Sequence, residues 1–237
     1  MATQPIYQIY AELMDYEPKI WRRFQVANNV TMSKLAYIIM SMFEMQARHL
    51  FRFDIEDTYE ILNKREVISK SYELFDDPED PYFTQSKRTQ IDVTKAKIKN
   101  VMDTPNGIHT KQSIDFCYDF GDNWHIQLIL EEIIIDKGLD AKELPRVLAG
   151  EGYGIIEDCG STYGLAEIAQ AFKLKKGEKY REFSGWLGRK ELNLESFDLE
   201  DASLRVKKIP RIYKDAYEND LPPTKQSIDF LERKYKK

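Results

Sequence analysis

Four carboxylates and two imidazoles of this sequence could together do chemistry. They are Asp119, Asp122, Glu157, Asp158, His49 and His125. Carboxylate and imidazole groups bind divalent cations, and a carboxylate–imidazole pair can also divide the roles of acid and base in a hydrolysis. The sequence therefore predicts a candidate polar cluster, provided that the fold brings these distant residues together.

A structural explanation competes with this chemistry. Asp122 and Asn123 can close a turn, while Glu157 and Asp158 can cap a following helix or accept hydrogen bonds from loop amides. The sequence contains no HExxH, no paired CxxC and no calcium-loop register. We therefore favour the structural interpretation, predict no metal and no other cofactor, and assign no catalytic residue.

Asp119 and Asp122 lie in the stretch YDFGDNWHIQLILEE, residues 118–132. Gly121-Asp122-Asn123 contains the residue types that tolerate a positive φ, as tight turns require. Apolar residues alternate on both sides of this turn, as in two strands that each bury one face: Ile114, Phe116, Tyr118 and Phe120 before it, and Trp124, Ile126, Leu128 and Leu130 after it. The pattern predicts a β-hairpin with a polar turn.

Glu157 and Asp158 lie in AGEGYGIIEDCGSTYG, residues 149–164, which holds five of the eleven glycines. Such density indicates tight bends or close backbone approach, because glycine is costly in a folded loop. The spacing does not fit a nucleotide-binding loop, and LAEIAQAF (165–172) predicts a helix after it. Polar loops cluster at one end of a sheet, so we expect the turn and the loop to meet, with their carboxylates within ~12 Å.

The N-terminal half predicts strands around one helix. Alternation in YQIYAEL (7–13) and IWRRFQV (20–26) indicates a hairpin, and the apolar spacing after Thr31 indicates a helix that is covered on more than one side. HLFRFDI (49–55), which His49 opens as a packed residue, and TYEIL (58–62) predict two more strands.

The following residues are more polar. We interpret residues 63–96 as charged and turn-rich, with DDPEDP (76–81) as a loop, and KIKNV (97–101) as an edge strand that its lysines protect. Together the elements predict an α+β fold. β-Hairpins form a mixed or antiparallel sheet with a central packed helix, in a β-grasp-like order, and a C-terminal helical or irregular extension follows.

Charge divides the chain into an acidic body and a basic C-terminal part. Residues 1–170 carry a net charge of −10 and residues 171–237 a net charge of +5, which together give the −5 of the whole chain. An acidic body repels phosphate backbones, which argues against generic nucleic-acid binding by the main domain. We predict one domain over residues 1–204 and a basic extension over residues 205–237.

The basic extension has two possible roles. Arg205, Lys207, Lys208 and Arg211 could bind nucleic acid or an acidic protein, or the extension could pack onto the acidic body. We favour packing, because a free arm has no reason to carry six large apolar side chains: Ile209, Ile212, Tyr213, Ile228, Phe230 and Leu231.

Three further side chains are candidates for binding. Trp21, Arg23 and Trp124 have the composition of interaction hot spots, although aromatic residues at a period of two usually belong to a core. Cys117 and Cys159 fit no metal or redox spacing and are expected to be reduced thiols. No apolar run approaches ~18 residues and no signal-peptide pattern opens the chain, which predicts a cytoplasmic protein without membrane contact.

Four blocks of this sequence, in this order, resemble the plasmid pRiA4b ORF-3-like family. The blocks are IYQIYAELMDYEPKIWRRFQV, HLFRF, YDFGDNW and AGEGYGIIEDCGSTYGLAEI. The resemblance covers roughly residues 5–205. It implies an α+β domain carried by insertion elements or plasmids, and it implies no particular reaction.

Three motifs of this chain depart from the family pattern. The family has a histidine two residues after the hairpin tryptophan, where this chain has Ile126, with His125 beside it. Its Gly-Trp before His-Leu is Glu44-Met45 here, its Pro-Pro is Ile155-Ile156, and the second glycine of Glu-Asp-Cys-Gly-Gly is Ser161. Chemistry that the family performs with its histidine is therefore not expected of this chain.

These observations predict a plasmid- or mobile-element-associated protein that acts as an interaction or regulatory module without turnover. Its protein partner is not identified by the sequence. Two alternatives stay open. One is a metal-assisted hydrolase that uses the acidic cluster of the 119–125 turn and the 150–164 loop, and the other is a nucleic-acid-binding protein that uses the basic extension.

Overall fold

The computed structural model describes residues 4–61, 64–74, 88–102, 113–136 and 138–235. Its strands are β1 Ile6–Leu13, β2 Trp21–Ala27, β3 Phe51–Ile61, β4 Lys64–Glu73, β5 Thr89–Asp92, β6 Ser113–Tyr118, β7 Trp124–Ile134 and β8 Arg146–Glu151. Its helices are α1 Met32–Met42, α2 Lys99–Met102, α3 Ser161–Leu174, α4 Glu178–Leu187, α5 Leu199–Asn219 and α6 Lys225–Leu231, with a 3₁₀ helix over Ala141–Glu143.

The eight strands of the described residues form one mixed sheet in the order β5-β4-β3-β6-β7-β1-β2-β8. Neighbouring strands are antiparallel except β4 and β5, which are parallel. The predicted α+β fold is confirmed. The strand order differs from the simple β-grasp version, because the β6–β7 hairpin lies between β1 and β3 and separates the two N-terminal hairpins.

Helix α1 fills the centre of the core, as its apolar spacing predicts. The hydroxyl of its N-cap residue Thr31 accepts a hydrogen bond from the Lys34 amide. All residues of α1 except Lys34 are buried, because the sheet covers one side and α5 packs along another. The helix is therefore fixed on all sides, and the chain that leaves it toward β3 starts from a rigid position.

Three local predictions were wrong. β3 is one continuous strand rather than two, because the ladder to β4 runs unbroken from Arg52 to Ile61. β4 and β5 occupy parts of the interval interpreted as turn-rich, since pairing with β3 outweighs their local polarity. The residues predicted as an edge strand over 97–101 instead lead into the short helix α2, with Val101 buried inside this helix and Ile98 buried just before it. DDPEDP (76–81) lies outside the described residues.

Arg22 ties the first hairpin to the glycine-rich loop. This side chain is fully buried, with its guanidinium carbon 5.0 Å from the ring centre of Phe43 and 4.2 Å from that of Phe197. It donates hydrogen bonds of 2.6–3.0 Å to five backbone carbonyls: those of Trp21, Met42, Glu151, Gly152 and Tyr153. Burial lowers the pKa of Arg22 to about 9. The glycine-rich loop therefore begins from an anchored position.

The C-terminal residues continue a helix of the main body. The boundary predicted between residues 204 and 205 falls inside α5, which buries Ile209 and Tyr213 completely. Ile212, Phe230 and Leu231 pack partly buried against the same core, whereas Ile228 is exposed. None of the described helices combines the length and the apolar character that a membrane span needs.

Candidate functional site

The β6–β7 hairpin and its polar turn are present as predicted. Asp119 begins the turn in the left-handed region, with a φ of 56°. Its Oδ1 accepts hydrogen bonds from the amides of Gly121 (3.0 Å) and Asp122 (3.4 Å), and its carbonyl accepts one from the Asn123 amide (2.5 Å). The turn thus uses one carboxylate oxygen of Asp119 and leaves Oδ2 for another contact.

The turn and the glycine-rich loop meet, as predicted. The Gly160 amide donates a hydrogen bond to Oδ2 of Asp122 across a distance of 3.2 Å. The glycines allow close backbone approach on both sides of the loop. A Cβ on Gly154 would lie 2.6 Å from the Phe43 carbonyl oxygen, and a Cβ on Gly164 would lie 1.6 Å from that of Cys159. A side chain at Gly154 would push the loop away from the end of α1, and one at Gly164 would displace the Cys159 carbonyl within the loop.

His49 lies between carboxylates of these two loops. Its Nε2 is 3.6 Å from Oδ2 of Asp119 and 3.5 Å from Oδ1 of Asp158. One ligand atom from each of the three residues lies within 4.8 Å of the other two. Nε2 is shielded from solvent and has no hydrogen-bond partner among the residues that the structure describes. The imidazole packs edge-on to Tyr118, with 5.8 Å between ring centres.

The backbone at this cluster is strained. Asp119 and Asp158 both adopt positive φ, at 56° and 60°. This region is sparsely populated by residues other than glycine, and such conformations concentrate at functional sites, where the surrounding structure holds them. Asp158 is also the most exposed of the three side chains. The arrangement is therefore a fixed imidazole and a fixed carboxylate next to a carboxylate that solvent reaches.

Glu157 lies behind the cluster rather than in it. Its buried Oε1 accepts hydrogen bonds from the Tyr118 hydroxyl (2.5 Å) and from the Gln46 amide (2.6 Å). Burial and the neighbouring Glu157 carboxylate raise the pKa of Tyr118, so that its hydroxyl stays protonated and donates. Glu157 thereby links the glycine-rich loop to β6 and to the segment that precedes His49.

Two of the candidate reactive groups stand apart from this cluster. His125 projects from the opposite sheet face to the buried Trp124, and its Nδ1 lies 2.7 Å from Oδ2 of Asp115. Cys159 follows Asp158, but burial and the nearby Asp122 carboxylate together raise the pKa of its thiol to about 12. The thiol is therefore protonated near pH 7, and a protonated thiol is a poor nucleophile. His109, which its polar surroundings in TPNGIHT predict to be a solvated loop residue, lies outside the described residues.

The candidate binding residues fall into three environments. Trp124 is fully buried in the core. Trp21 stacks on Tyr10 with ring centres 5.5 Å apart, and Arg23 covers both rings while making two hydrogen bonds of 2.6 and 2.7 Å to Glu131. On α5, Arg205 turns inward to lie 3.8 Å from Glu44, whereas Lys207, Lys208 and Arg211 are exposed.

Two tyrosines that hold the segment of His49 in place were not predicted from the sequence. Tyr213 and Tyr217 of α5 donate hydrogen bonds to the carbonyls of Met45 and His49. Their spacing of four residues places them on the same helix face as the buried Ile209, which is the one signal that the sequence contains. The distance along the chain hides the contact, since 168 residues separate each tyrosine from its carbonyl.

Comparisons with known proteins agree with the geometry of the fold. The sequence profile of the family described as plasmid pRiA4b ORF-3-like protein matches residues 5–204. Uncharacterized protein y4hQ of Sinorhizobium fredii (strain NBRC 101917 / NGR234) is 23% identical over 183 residues, which cover 77% of this chain and 81% of that protein. The crystal structure of a protein of unknown function, MM3350 from Methanosarcina mazei Go1, superposes with a TM-score of 0.65 at 25% identity. The match covers 84% of this chain and 97% of that one.

Proposed function

The chain belongs to the plasmid pRiA4b ORF-3-like family, and from this premise we propose that it is a cation-dependent binding module. In this proposal His49, Asp119 and Asp158 hold one divalent cation, and the bound cation fixes the hairpin turn and the glycine-rich loop as a recognition surface for a protein partner. The module acts by binding and not by turnover.

One observation carries the proposal. The buried Nε2 of His49 lacks a hydrogen-bond partner among the described residues and faces carboxylate oxygens from two separate loops. A buried polar atom without a partner is costly and needs an explanation. A divalent cation supplies it, because imidazole nitrogen and carboxylate oxygen together suit zinc, manganese and related ions. The positive charge also offsets the repulsion between Asp119 and Asp158.

Two further observations support a binding role. The cluster is open to solvent at the exposed Asp158, and cavities of about 610 and 530 Å³ along α3 are lined by other residues. The stacked Tyr10, Trp21 and Arg23 present the composition of interaction hot spots on the sheet face opposite to the core. We further propose an association with plasmids or mobile elements and a cytoplasmic location. The family description names a plasmid, and Cys117 and Cys159 are free thiols, as expected in a reducing compartment.

Metal-assisted hydrolysis is the second candidate function. Three protein ligands leave coordination positions for water, as in catalytic zinc sites, and the exposed Asp158 gives solvent a route to them. A cation in this position could lower the pKa of a bound water and produce a hydroxide nucleophile.

The test is a titration of the purified protein with Mg²⁺, Mn²⁺ and Zn²⁺ by calorimetry, alongside elemental analysis. We expect one equivalent of a divalent cation to bind, and affinity to fall by at least about tenfold in His49→Ala and Asp158→Asn, since each loses a ligand. Asp119→Asn keeps the oxygen that closes the turn and is expected to lose affinity without losing the hairpin. His125→Ala is the matched control, because His125 also pairs with a carboxylate but lies on the opposite sheet face.

Two outcomes decide between the candidates. Binding that none of the three cations shows, or that His49→Ala and Asp158→Asn leave unchanged, contradicts the cation site. Cation-dependent cleavage of phosphoester or peptide substrates that disappears in Asp158→Asn would favour hydrolysis over a binding role.

A further inference from the structure

The segment 44–49, which carries His49, has no regular secondary structure. It connects α1 to β3, and Glu44 and Ala47 adopt positive φ of 65° and 58° within it. Buried backbone groups outside helices and strands need partners from elsewhere. The position of His49 therefore depends on the side chains that bond this segment.

Those side chains come from two distant parts of the chain, and they adjoin one another at Tyr118 and Tyr217. From the site, the Glu157 carboxylate accepts the Gln46 amide, and the Tyr118 hydroxyl accepts the Arg48 amide at 3.2 Å. From α5, the Tyr213 hydroxyl donates to the Met45 carbonyl at 2.5 Å, and the Tyr217 hydroxyl donates to the carbonyl of His49 itself. Hydrogen bonds from the glycine-rich loop, from β6 and from α5 therefore hold this segment.

The two tyrosines of α5 are packed tightly, so their hydroxyls hold fixed positions relative to α5. Tyr213 is 1% exposed. The ring of Tyr217 stacks on Tyr37 at 5.7 Å and 6°, and meets Phe51 edge-on at 5.4 Å. Burial raises the pKa of both phenols, so both remain hydrogen-bond donors. Neither hydroxyl can move away from its carbonyl without repacking the core.

The far end of the chain holds the beginning of the same segment. Arg233, just after α6, lies 2.5 Å from Oε1 of Glu44 and 2.9 Å from Oδ2 of Asp201 in the first turn of α5. Arg205 approaches the other oxygen of Glu44 at 3.8 Å. Glu44 is thus joined both to α5 and to the residues that follow α6.

From these contacts we infer that α5 sets the cation affinity of the site by holding the backbone of His49, with Tyr217 as the positioning residue and Arg233 as a second support. This inference rests on the proposed cation site and adds its regulation. A partner or a modification that moved α5 or displaced Arg233 would weaken cation binding without touching a ligand. The C-terminal residues thereby act as a control element for a site whose histidine lies more than 150 residues earlier in the chain.

The experiment compares Tyr217→Phe with Tyr180→Phe. Tyr217→Phe removes the hydroxyl and keeps the stacked ring. Tyr180 is the matched control, because its hydroxyl donates to the Lys190 carbonyl at 3.0 Å on the exposed α4 side. In calorimetric titration with Mn²⁺ or Zn²⁺, we expect Tyr217→Phe to weaken affinity by about two- to tenfold, the range that one hydrogen bond contributes. Tyr180→Phe is expected to bind as the wild type does.

Two readouts separate positioning from a general loss of stability. The chain has three histidines, so the His49 ring signal can be assigned by NMR through its loss in His49→Ala. We expect that signal to shift in Tyr217→Phe and not in Tyr180→Phe. We also expect the rise in melting temperature on adding cation to shrink only in Tyr217→Phe, since stabilisation by a cation at fixed concentration grows with the logarithm of its affinity for the folded state.

The outcomes distinguish the two proposals. A wild-type protein that binds none of the cations overturns the cation site and this inference together. Wild-type binding that depends on His49, with equal affinity and an unshifted His49 signal in Tyr217→Phe, overturns only the role of α5. Should Tyr217→Phe not fold, Arg233→Gln takes its place, and undiminished affinity in that variant likewise overturns the inference.

Discussion

Asp119 divides its carboxylate between the turn and the site. Oδ1 accepts the amides that close the turn, whereas Oδ2 faces the imidazole of His49. Turn chemistry and ligand chemistry are therefore compatible in one side chain. The role of Asp119 in closing the turn therefore involves only one of its two carboxylate oxygens.

Ser161 provides a prediction at the scale of one residue. It begins α3 with a φ of 65°, at a position where the family pattern has glycine. A side chain in this region costs about 1–2 kcal/mol, while glycine adds entropy to the unfolded chain. We expect Ser161→Gly to raise the free energy of unfolding by about 0.5–1 kcal/mol, measured by urea denaturation.

The same substitution inside a regular helix is the control. Ser184 lies in α4, where serine-to-glycine is expected to lower the free energy of unfolding by about 0.5 kcal/mol. The two changes should therefore have opposite signs. A Ser161→Gly variant that is destabilised as much as Ser184→Gly would contradict the strain argument.

At the scale of elements, local patterns predict local pairing. The hairpins β1–β2 and β6–β7 and the helix α1 follow from alternation, turn residues and apolar spacing within short stretches. β4, β5 and α2 were missed because their conformation depends on neighbours that the local sequence does not reveal. β4 pairs with a long β3, and the chain after β5 is held by the isolated bridge between Thr31 and Lys97.

Truncation after Ser203 tests the contribution of α5. It removes Ile209 and Tyr213, both fully buried, which together contribute about 3–6 kcal/mol before chain ordering is subtracted. A typical domain is stable by about 5–15 kcal/mol. We expect a lower melting temperature or the loss of a cooperative unfolding transition, as measured by circular dichroism.

A shorter truncation after Asn219 keeps α5 complete and serves as the control. It removes α6 and the Arg233 contacts, so we expect a smaller loss of stability than truncation after Ser203 causes. A chain ending at Ser203 that melts at the same temperature as the intact protein would show that the C-terminal residues do not support the domain.

At the scale of the whole molecule, the sequence predicts which loops meet but not what lies between them. Because polar loops cluster at one end of a sheet, the hairpin turn is expected beside the glycine-rich loop, and the hydrogen bond from Gly160 to Asp122 agrees with this expectation. The position of His49 could not be predicted in this way. It depends on Tyr217, which reaches its carbonyl only after α5 has packed across α1.

Charge distribution leads to the prediction for nucleic acid. Lys208 and Arg211 project outward from α5, but residues 1–170 carry a net charge of −10. Phosphate backbones are repelled by such a body, so we expect no retention of duplex DNA or RNA at about 0.15 M salt in a mobility-shift assay. The double variant Lys208→Glu and Arg211→Glu should behave as the wild type does.

The opposite result has a distinct signature. Binding that weakens steeply as salt rises, with a slope of about 0.7–0.9 per neutralised phosphate, and that the double variant abolishes, would restore the nucleic-acid alternative.

The buried guanidinium of Arg22 constrains the biosynthesis of the protein. Three of its carbonyl partners belong to Glu151, Gly152 and Tyr153, which the ribosome adds long after the first hairpin and α1 are made. Until they emerge, closing the core would bury a positive charge without those acceptors, which is unfavourable. We therefore expect the core of the nascent N-terminal half to stay open, and exposed to chaperones and proteases, until translation has passed Tyr153.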